Sequence, residues 1–89
     1  MAIKLGTFVG IWWEFNGQNY KGRVSTEYLW SNFKAWAVDR DIQDFFTKGG
    51  FIRLLIPVSG AKKTTVQVKK GHPERVRALE FPLDIYSNG

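Results

Sequence analysis

Apolar and polar side chains alternate at the start of the chain. Residues 3–15 place apolar side chains at almost every second position, which is the period of a β-strand. Asn16-Gly17 follows, and this dipeptide favours a two-residue hairpin turn because both of its residues adopt positive φ easily. Such a turn would place Trp13 opposite Tyr20, so that apolar partners meet on one face. The pattern therefore predicts a β-hairpin as the first element.

A helical period replaces the alternation in the middle of the chain. Ser25-Thr26-Glu27 predicts a helix start, and Lys48-Gly49-Gly50 its end. Two apolar sets occur at helical spacing, and on one straight helix they would point about half a turn apart. The first set is Leu29, Phe33, Trp36 and Ala37, and the second is Val38, Ile42, Phe45 and Phe46. We therefore predict a kink or break at residues 39–41, with Asp39 or Asp41 capping the second segment. The alternative is an unbroken helix buried on both sides against a partner subunit.

Three further strands are predicted in the second half of the chain. Residues 51–58 form a nearly continuous apolar run, which is typical of a central strand that ends near Pro57. Residues 64–70 and 78–86 alternate and predict two more strands, and Pro82 places the last of them at a sheet edge. The segment between these two strands, which begins at Gly71, is predicted to be a loop.

These elements define one fold class. We predict a single α+β domain over residues 1–89, with a frayed tail at residues 87–89. Its sheet has five mostly antiparallel strands in the order ββααβββ, and one kinked or broken helical segment packs on one face.

Composition limits how this core is built. The chain has 89 residues, fourteen aromatic residues and no cysteine, so its stability must come from side-chain packing and not from disulfides or Cys-based zinc sites. No apolar stretch approaches the roughly 20 residues of a membrane span, and the N-terminal residues lack a signal-peptide pattern. We therefore expect no membrane association and a cytoplasmic location.

Positive charge is concentrated in one stretch. Residues 62–77 carry a net charge of +5, which equals the formal net charge of the whole chain. Their ionisable cations are Lys62, Lys63, Lys69, Lys70, Arg75 and Arg77, with His72 among them. Such a cluster predicts contacts with a phosphate backbone. The alternative is a solvated strand whose lysines discourage pairing of sheet edges.

The outer face of the predicted hairpin carries a second candidate surface. Phe8 and Trp12 alternate with glycines there, and the predicted register sets Trp12 opposite Lys21 and Gly10 opposite Arg23. Exposed aromatics beside cations would stack on bases, as in single-strand binders. The other interpretations are that these aromatics belong to the core or to a homodimer contact.

Catalytic and metal-binding patterns are weak. His72 is the single histidine, so Cys–His chemistry is excluded and a Ser–His–Asp set would depend on a loop residue. Asp39, Asp41 and Asp44 do not follow the calcium-loop spacing and are better explained by helix capping. Gly49-Gly50 precedes a predicted strand and lacks a following Lys-Ser/Thr, so we interpret it as a helix C-cap.

The sequence therefore favours a small non-enzymatic nucleic-acid-binding domain that needs no cofactor or metal. In this hypothesis the basic segment holds the phosphate backbone, Lys21 and Arg23 extend it, and Trp12 or Phe8 stacks on bases. The alternative is a protein-binding module, such as a small phage-type inhibitor or adaptor that docks on host or defence machinery. A homodimer is compatible with both.

Overall fold

The structure, a computed structural model, describes residues 5–67, 71 and 74–82. Three helices and a three-stranded antiparallel sheet make up this part of the chain. They are α1 (Leu5–Asn16), β1 (Gly22–Ser25), α2 (Thr26–Asp39), α3 (Lys48–Ser59), β2 (Lys62–Gln67) and β3 (Arg75–Phe81), with short 3-10 turns at Gly17–Asn19 and Gln43–Phe45. None of the helices in the described ranges is long and apolar enough to cross a bilayer.

The sheet has the order β1-β3-β2, with β3 in the middle and antiparallel to both neighbours. Leu79 of β3 pairs with Val24 of β1 on one side and with Lys63 of β2 on the other. Leu79 is fully buried and belongs to the same apolar cluster as the helices. The face that carries Leu79 therefore packs on the helical layer.

Aromatic rings join the three helices. The Trp12 ring of α1 meets Phe33 of α2 and Phe51 of α3 edge-on, with ring centroids 5.6 and 5.5 Å apart. Phe33 and Phe51 stack on each other at 4.4 Å. Trp13, the next residue of α1, stacks on Phe81 of β3 at 5.0 Å. One helix thus contacts both other helices and the sheet through two neighbouring tryptophans.

The predicted first hairpin is wrong, because residues 5–16 form α1. Apolar residues occupy both alternating sets there, so the same sequence also places Val9, Trp12 and Trp13 on one face of a helix. The helix ends where Asn16 Nδ2 donates to the Trp12 carbonyl oxygen at 2.9 Å. At Gly17 a Cβ would lie 2.6 Å from the Trp13 ring. Gly17 therefore allows the backbone to lie close to the Trp13 indole, and Asn16-Gly17 does not form a hairpin turn.

The predicted strand at residues 51–58 is also wrong, because it lies within α3. A continuous apolar run does not distinguish a buried strand from a buried helix. The helix is set by its caps: Thr47 Oγ1 accepts from Gly50 N at 3.0 Å, and Gly60, at φ 72°, donates its N–H to the Ile56 carbonyl oxygen. Gly49 and Gly50 consequently lie in the first turn of α3 and not at a helix C-cap.

The predicted break in the helical segment is confirmed. The helix α2 ends at Asp39, and Asp41 adopts φ 58°, a left-handed conformation that helices do not continue through. The second segment is only a single 3-10 turn at Gln43–Phe45, after which Phe46 packs against Phe33. The unbroken helix is therefore excluded. The predicted cap by Asp39 or Asp41 is wrong, because the N-cap of this turn is Ile42 and no side chain caps it.

The two C-terminal strands are present, but the five-stranded order ββααβββ is replaced by αβααββ. The predicted edge position of the last strand is wrong, because β3 lies between β1 and β2 and ends at Phe81, before Pro82. The alternation at residues 64–70 corresponds to β2, and the last strand is β3, which begins three residues before its predicted start at Ala78. The rest of the predicted last strand and the predicted tail lie outside the described residues. The fold class keeps its α+β character and loses two strands.

Tyr20 provides the one titratable group of the core whose pKa shifts clearly among the described residues. Burial raises the pKa of its phenol above the ordinary value of 10.0, whereas the hydrogen bond from Asn32 Nδ2, at 2.9 Å, acts in the opposite direction. A phenol with a raised folded pKa favours folding while it stays neutral. The contribution of this phenol to the free energy of unfolding is complete below about pH 10 and is lost as the pH rises through the folded pKa.

We expect the free energy of unfolding to fall above about pH 10, and the fall to be shallower in Tyr20→Phe. Urea titrations at pH 8, 10 and 11 measure it. Tyr28→Phe alters an exposed phenol on α2 whose charge makes only the smallest contribution to the raised Tyr20 pKa, so it should change the slope less than Tyr20→Phe does. Identical pH profiles for wild type and Tyr20→Phe would contradict this assignment.

Trp12 and Phe15 lie on the same helix with opposite exposures of 1% and 70%. We expect Trp12→Ala to lower the free energy of unfolding by about 3–5 kcal/mol, because it removes the ring that joins three helices. Phe15→Ala should change it by no more than about 0.5 kcal/mol. Urea denaturation followed by circular dichroism measures both. Similar losses in the two variants would argue against the helical register of α1.

Candidate functional site

A groove of about 740 Å³ lies between α3 and the sheet, and we call it the α3 groove. Its apolar lining includes the half-buried Ile52 and Ile56 of α3 and the buried Leu79 of β3. Four cations also line it, and they are Lys48, Arg53, Lys63 and Arg77. No acidic residue is among the described residues that line this groove.

The strand register brings two of the cations into the groove. Lys63 lies beside Leu79 in the β2–β3 pairing, and Arg77 lies two residues before Leu79 on β3. Because side chains alternate along a strand, all three residues share the face that packs on the helices. Lys63 and Arg77 are nevertheless exposed, and both line the groove together with residues of α3.

The other two cations come from α3. Lys48 is the first residue of the helix, and Arg53 is exposed one and a half turns later. Phe51 and Leu55 of the same helix are fully buried, so the core fixes the rotation of α3 and with it the direction of Arg53.

A carboxylate from α2 holds Lys48. Glu27, in the first turn of α2, forms an ion pair with the Lys48 ammonium across the two helices. Next to it, Thr26 Oγ1 donates to the Arg77 carbonyl oxygen at 3.3 Å, which ties the start of α2 to β3. At one end of the groove, these two contacts connect the start of α2 with α3 and with β3.

Only part of the predicted basic cluster shares this groove. Lys63 and Arg77 line it, and Arg75 occupies the same sheet face, where its Nε donates to Thr65 Oγ1 at 2.9 Å. Lys62 and Arg23 lie on the opposite face because each is one residue out of phase with the groove-facing positions. Both flank Glu80, whose Oε1 is 3.5 Å from Arg23 Nε.

Of the three interpretations of Phe8 and Trp12, the core interpretation is confirmed and the exposed aromatic platform is wrong. Trp12 is buried in the core, and Phe8 is partly buried against it with its ring edge-on to Phe46 at 6.3 Å. Lys21 is exposed ahead of β1, and without the hairpin neither it nor Arg23 is paired with the aromatic positions of α1. Helical packing of residues 5–16 is the reason for this difference. The remaining predicted cations, Lys69, Lys70 and His72, lie outside the described residues.

Lys48 and Arg53 are site residues that the sequence analysis missed. They were missed because residues 51–58 were predicted to form a strand, so no helix with an exposed face was expected there. The usable signal was the capping pair of Thr47 and Gly60 around Phe51 and Leu55, which are spaced by one helical turn.

The groove offers no metal site in the described residues, because no group of three or more His, Cys, Asp or Glu side chains comes together there. Arg53, Lys63 and Arg77 instead form a surface suited to anions, whereas Lys48 is paired with Glu27. Comparisons with protein-family models, with curated proteins and with solved structures find no match to this chain.

We expect Thr47→Ala to lower the free energy of unfolding by about 1 kcal/mol, because the first turn of α3 loses its side-chain cap. Thr47→Ser retains the hydroxyl and should stay within a few tenths of a kcal/mol of wild type. Chemical denaturation of the three proteins measures the difference. Equal stability of the alanine and serine variants would show that this cap contributes nothing.

Proposed function

We propose that this chain is a non-enzymatic module that binds the sugar-phosphate backbone of duplex DNA through the α3 groove. The observation that carries the proposal is the convergence of Arg53, Lys63 and Arg77, from α3, β2 and β3, on one concave surface. The fourth lining cation, Lys48, is paired with Glu27. Cations placed along a groove neutralise phosphates and release their counterions, which supplies most of the affinity in non-specific DNA binding.

A polymeric anion fits better than a small one. The cations continue beyond the groove, since Arg75 lies on the same sheet face as Arg77, toward the connection between β2 and β3. A row of this kind matches a chain of phosphates, whereas a single small anion would need its donors gathered around one point.

A duplex fits better than a single strand. Binding of single strands uses exposed aromatic rings on which successive bases stack. The lining of the α3 groove, as far as the structure describes it, contains no aromatic residue, and Trp12 is in the core. The partly exposed helix α3, which lines the groove, also favours B-form DNA. The major groove of B-form DNA admits an α-helix, whereas the deep, narrow major groove of duplex RNA does not.

The order of elements supports the same proposal by analogy. Two consecutive helices, α2 and α3, followed by a β-hairpin and preceded by α1 and β1, have the topology of a winged helix-turn-helix domain. In helix-turn-helix proteins the second helix of the motif enters the major groove. Here that helix would be α3, although residues 40–47 form a longer connection than the usual turn. A fold alone does not determine function, so the cations remain the main argument.

Protein binding is the second candidate, and one observation favours it. Ile11 and Phe15 are exposed one turn apart on α1, and neither of them lines the α3 groove. Exposed apolar neighbours of this kind mark contacts with other proteins, including a second copy of the chain. Light scattering during size-exclusion chromatography distinguishes a monomer from a dimer, and Phe15→Ser would weaken a dimer built on this face. The cytoplasmic location stays a prediction from the sequence.

Two pairs of variants test DNA binding, because β2 places neighbouring lysines on opposite faces. We expect Lys63→Ala with Arg77→Ala to weaken binding to all duplexes and to reduce the slope of log K against log salt by about two, one per lost phosphate contact. Lys62→Ala with Arg23→Ala removes the same charges from the other face and should leave the slope unchanged.

Fluorescence anisotropy with a labelled 20-base-pair duplex, recorded between 50 and 200 mM salt, measures both slopes. Equal losses in the two double variants would assign the binding to overall charge and not to the α3 groove. Tighter binding to a single strand or to duplex RNA than to duplex DNA would reject the choice of partner.

A further inference from the structure

The next inference rests on the proposed DNA binding and concerns what α3 can recognise. Among its residues, Lys48–Ser59, only Lys48, Arg53 and Ser59 have side chains that form hydrogen bonds. Ser59 Oγ donates to the Leu55 carbonyl oxygen at 2.8 Å and accepts from Ala61 N at 3.2 Å, so its hydroxyl closes the end of the helix. Lys48 is in the ion pair with Glu27.

Arg53 is the remaining polar side chain. It is exposed, lines the α3 groove and has no hydrogen-bond or ion-pair partner within the part of the chain that the structure describes. Its guanidinium presents donors in a fixed planar fork, which matches the O6 and N7 acceptors of guanine in the major groove.

The helix positions around Arg53 have no hydrogen-bonding groups. One turn before it stands Gly49, and one turn after it stand Ile56 and Pro57. Ile52 and Ile56 also line the groove. Apolar side chains of this kind make contact with the methyl group of thymine but form no hydrogen bond to a base edge.

We propose that Arg53 reads a single guanine in the major groove and that no other side chain of α3 reads a base by hydrogen bonding. Arg53 is thus the specificity-determining residue of an otherwise weakly selective domain. Phosphate contacts from Lys63 and Arg77 hold the duplex, and Arg53 adds a preference at one G·C pair.

Selection from a duplex pool with ten randomised base pairs tests this proposal, using the full chain and sequencing of the bound fraction. For wild type we expect enrichment at one G·C pair, and a Kd about fivefold to a hundredfold lower than for duplexes without it. Arg53→Ala should bring all four base pairs at that position within about twofold. Its salt slope should stay at the wild-type value, because a base contact releases no phosphate counterion.

Lys63→Ala is the matched control, since it removes one exposed cation from the same groove. It should weaken binding to every duplex by a similar factor, lower the salt slope by about one and keep the preference at the G·C pair. Circular dichroism melting of each variant verifies that the fold is retained.

Any of the following outcomes would overturn the inference. A motif of several specified positions that persists in Arg53→Ala would show that other groups read the bases. A lower salt slope in Arg53→Ala with an unchanged preference would make Arg53 a phosphate contact. Wild-type protein that binds duplexes without any base preference would reject the role of Arg53 and leave the DNA-binding proposal intact. Wild-type protein that binds no duplex at 50 mM salt would reject the DNA-binding proposal itself.

Discussion

The packing of Trp12 against Phe33 and Phe51 is the contact on which the rest of the structure depends. These three rings belong to α1, α2 and α3, so one aromatic cluster fixes the relative positions of all three helices. A chain of this length without disulfides has few other means to hold its helices together. Large rings supply much buried area for few residues, and their edge-on contacts add directional preference.

The position of the α3 groove follows from this cluster. Phe51 is buried in the cluster, which fixes α3 in rotation and leaves Arg53 exposed beside the sheet. On the other wall, Leu79 fixes the face of β3 that carries Arg77. The cations therefore meet in one groove because apolar neighbours, a few positions away in sequence, are buried in the same core.

Sequence patterns predicted the parts of the fold that depend on local chemistry. The break at Asp39 to Asp41 followed from the phase of apolar residues, and the alternation of residues 64–70 located β2. The first hairpin failed because α1 carries apolar residues in both strand phases, and because the demand for glycine at position 17 comes from the Trp13 ring. This close approach is a tertiary contact, and no local pattern reveals it.

The residues of the candidate site were also predicted only in part from the sequence. Lys63 and Arg77 were predicted from the charge of their segment, whereas Lys48 and Arg53 depended on recognising α3 as a helix. The prediction also could not separate Lys62 from Lys63, since the faces of a strand are assigned by its partners. Their opposite positions became evident only from the register with β3.

The short junctions around the groove have a mechanical consequence. Ser25 is both the last residue of β1 and the N-cap of α2, and only Gly60 and Ala61 separate α3 from β2. Gly60 is held by its hydrogen bond to Ile56, and Ala61 by its bond to Ser59. These short, hydrogen-bonded junctions limit how far α3 and β2 can move apart. A bound duplex would have to bend or change its groove width to fit, so its stiffness would enter the affinity as a separate quantity from its charge.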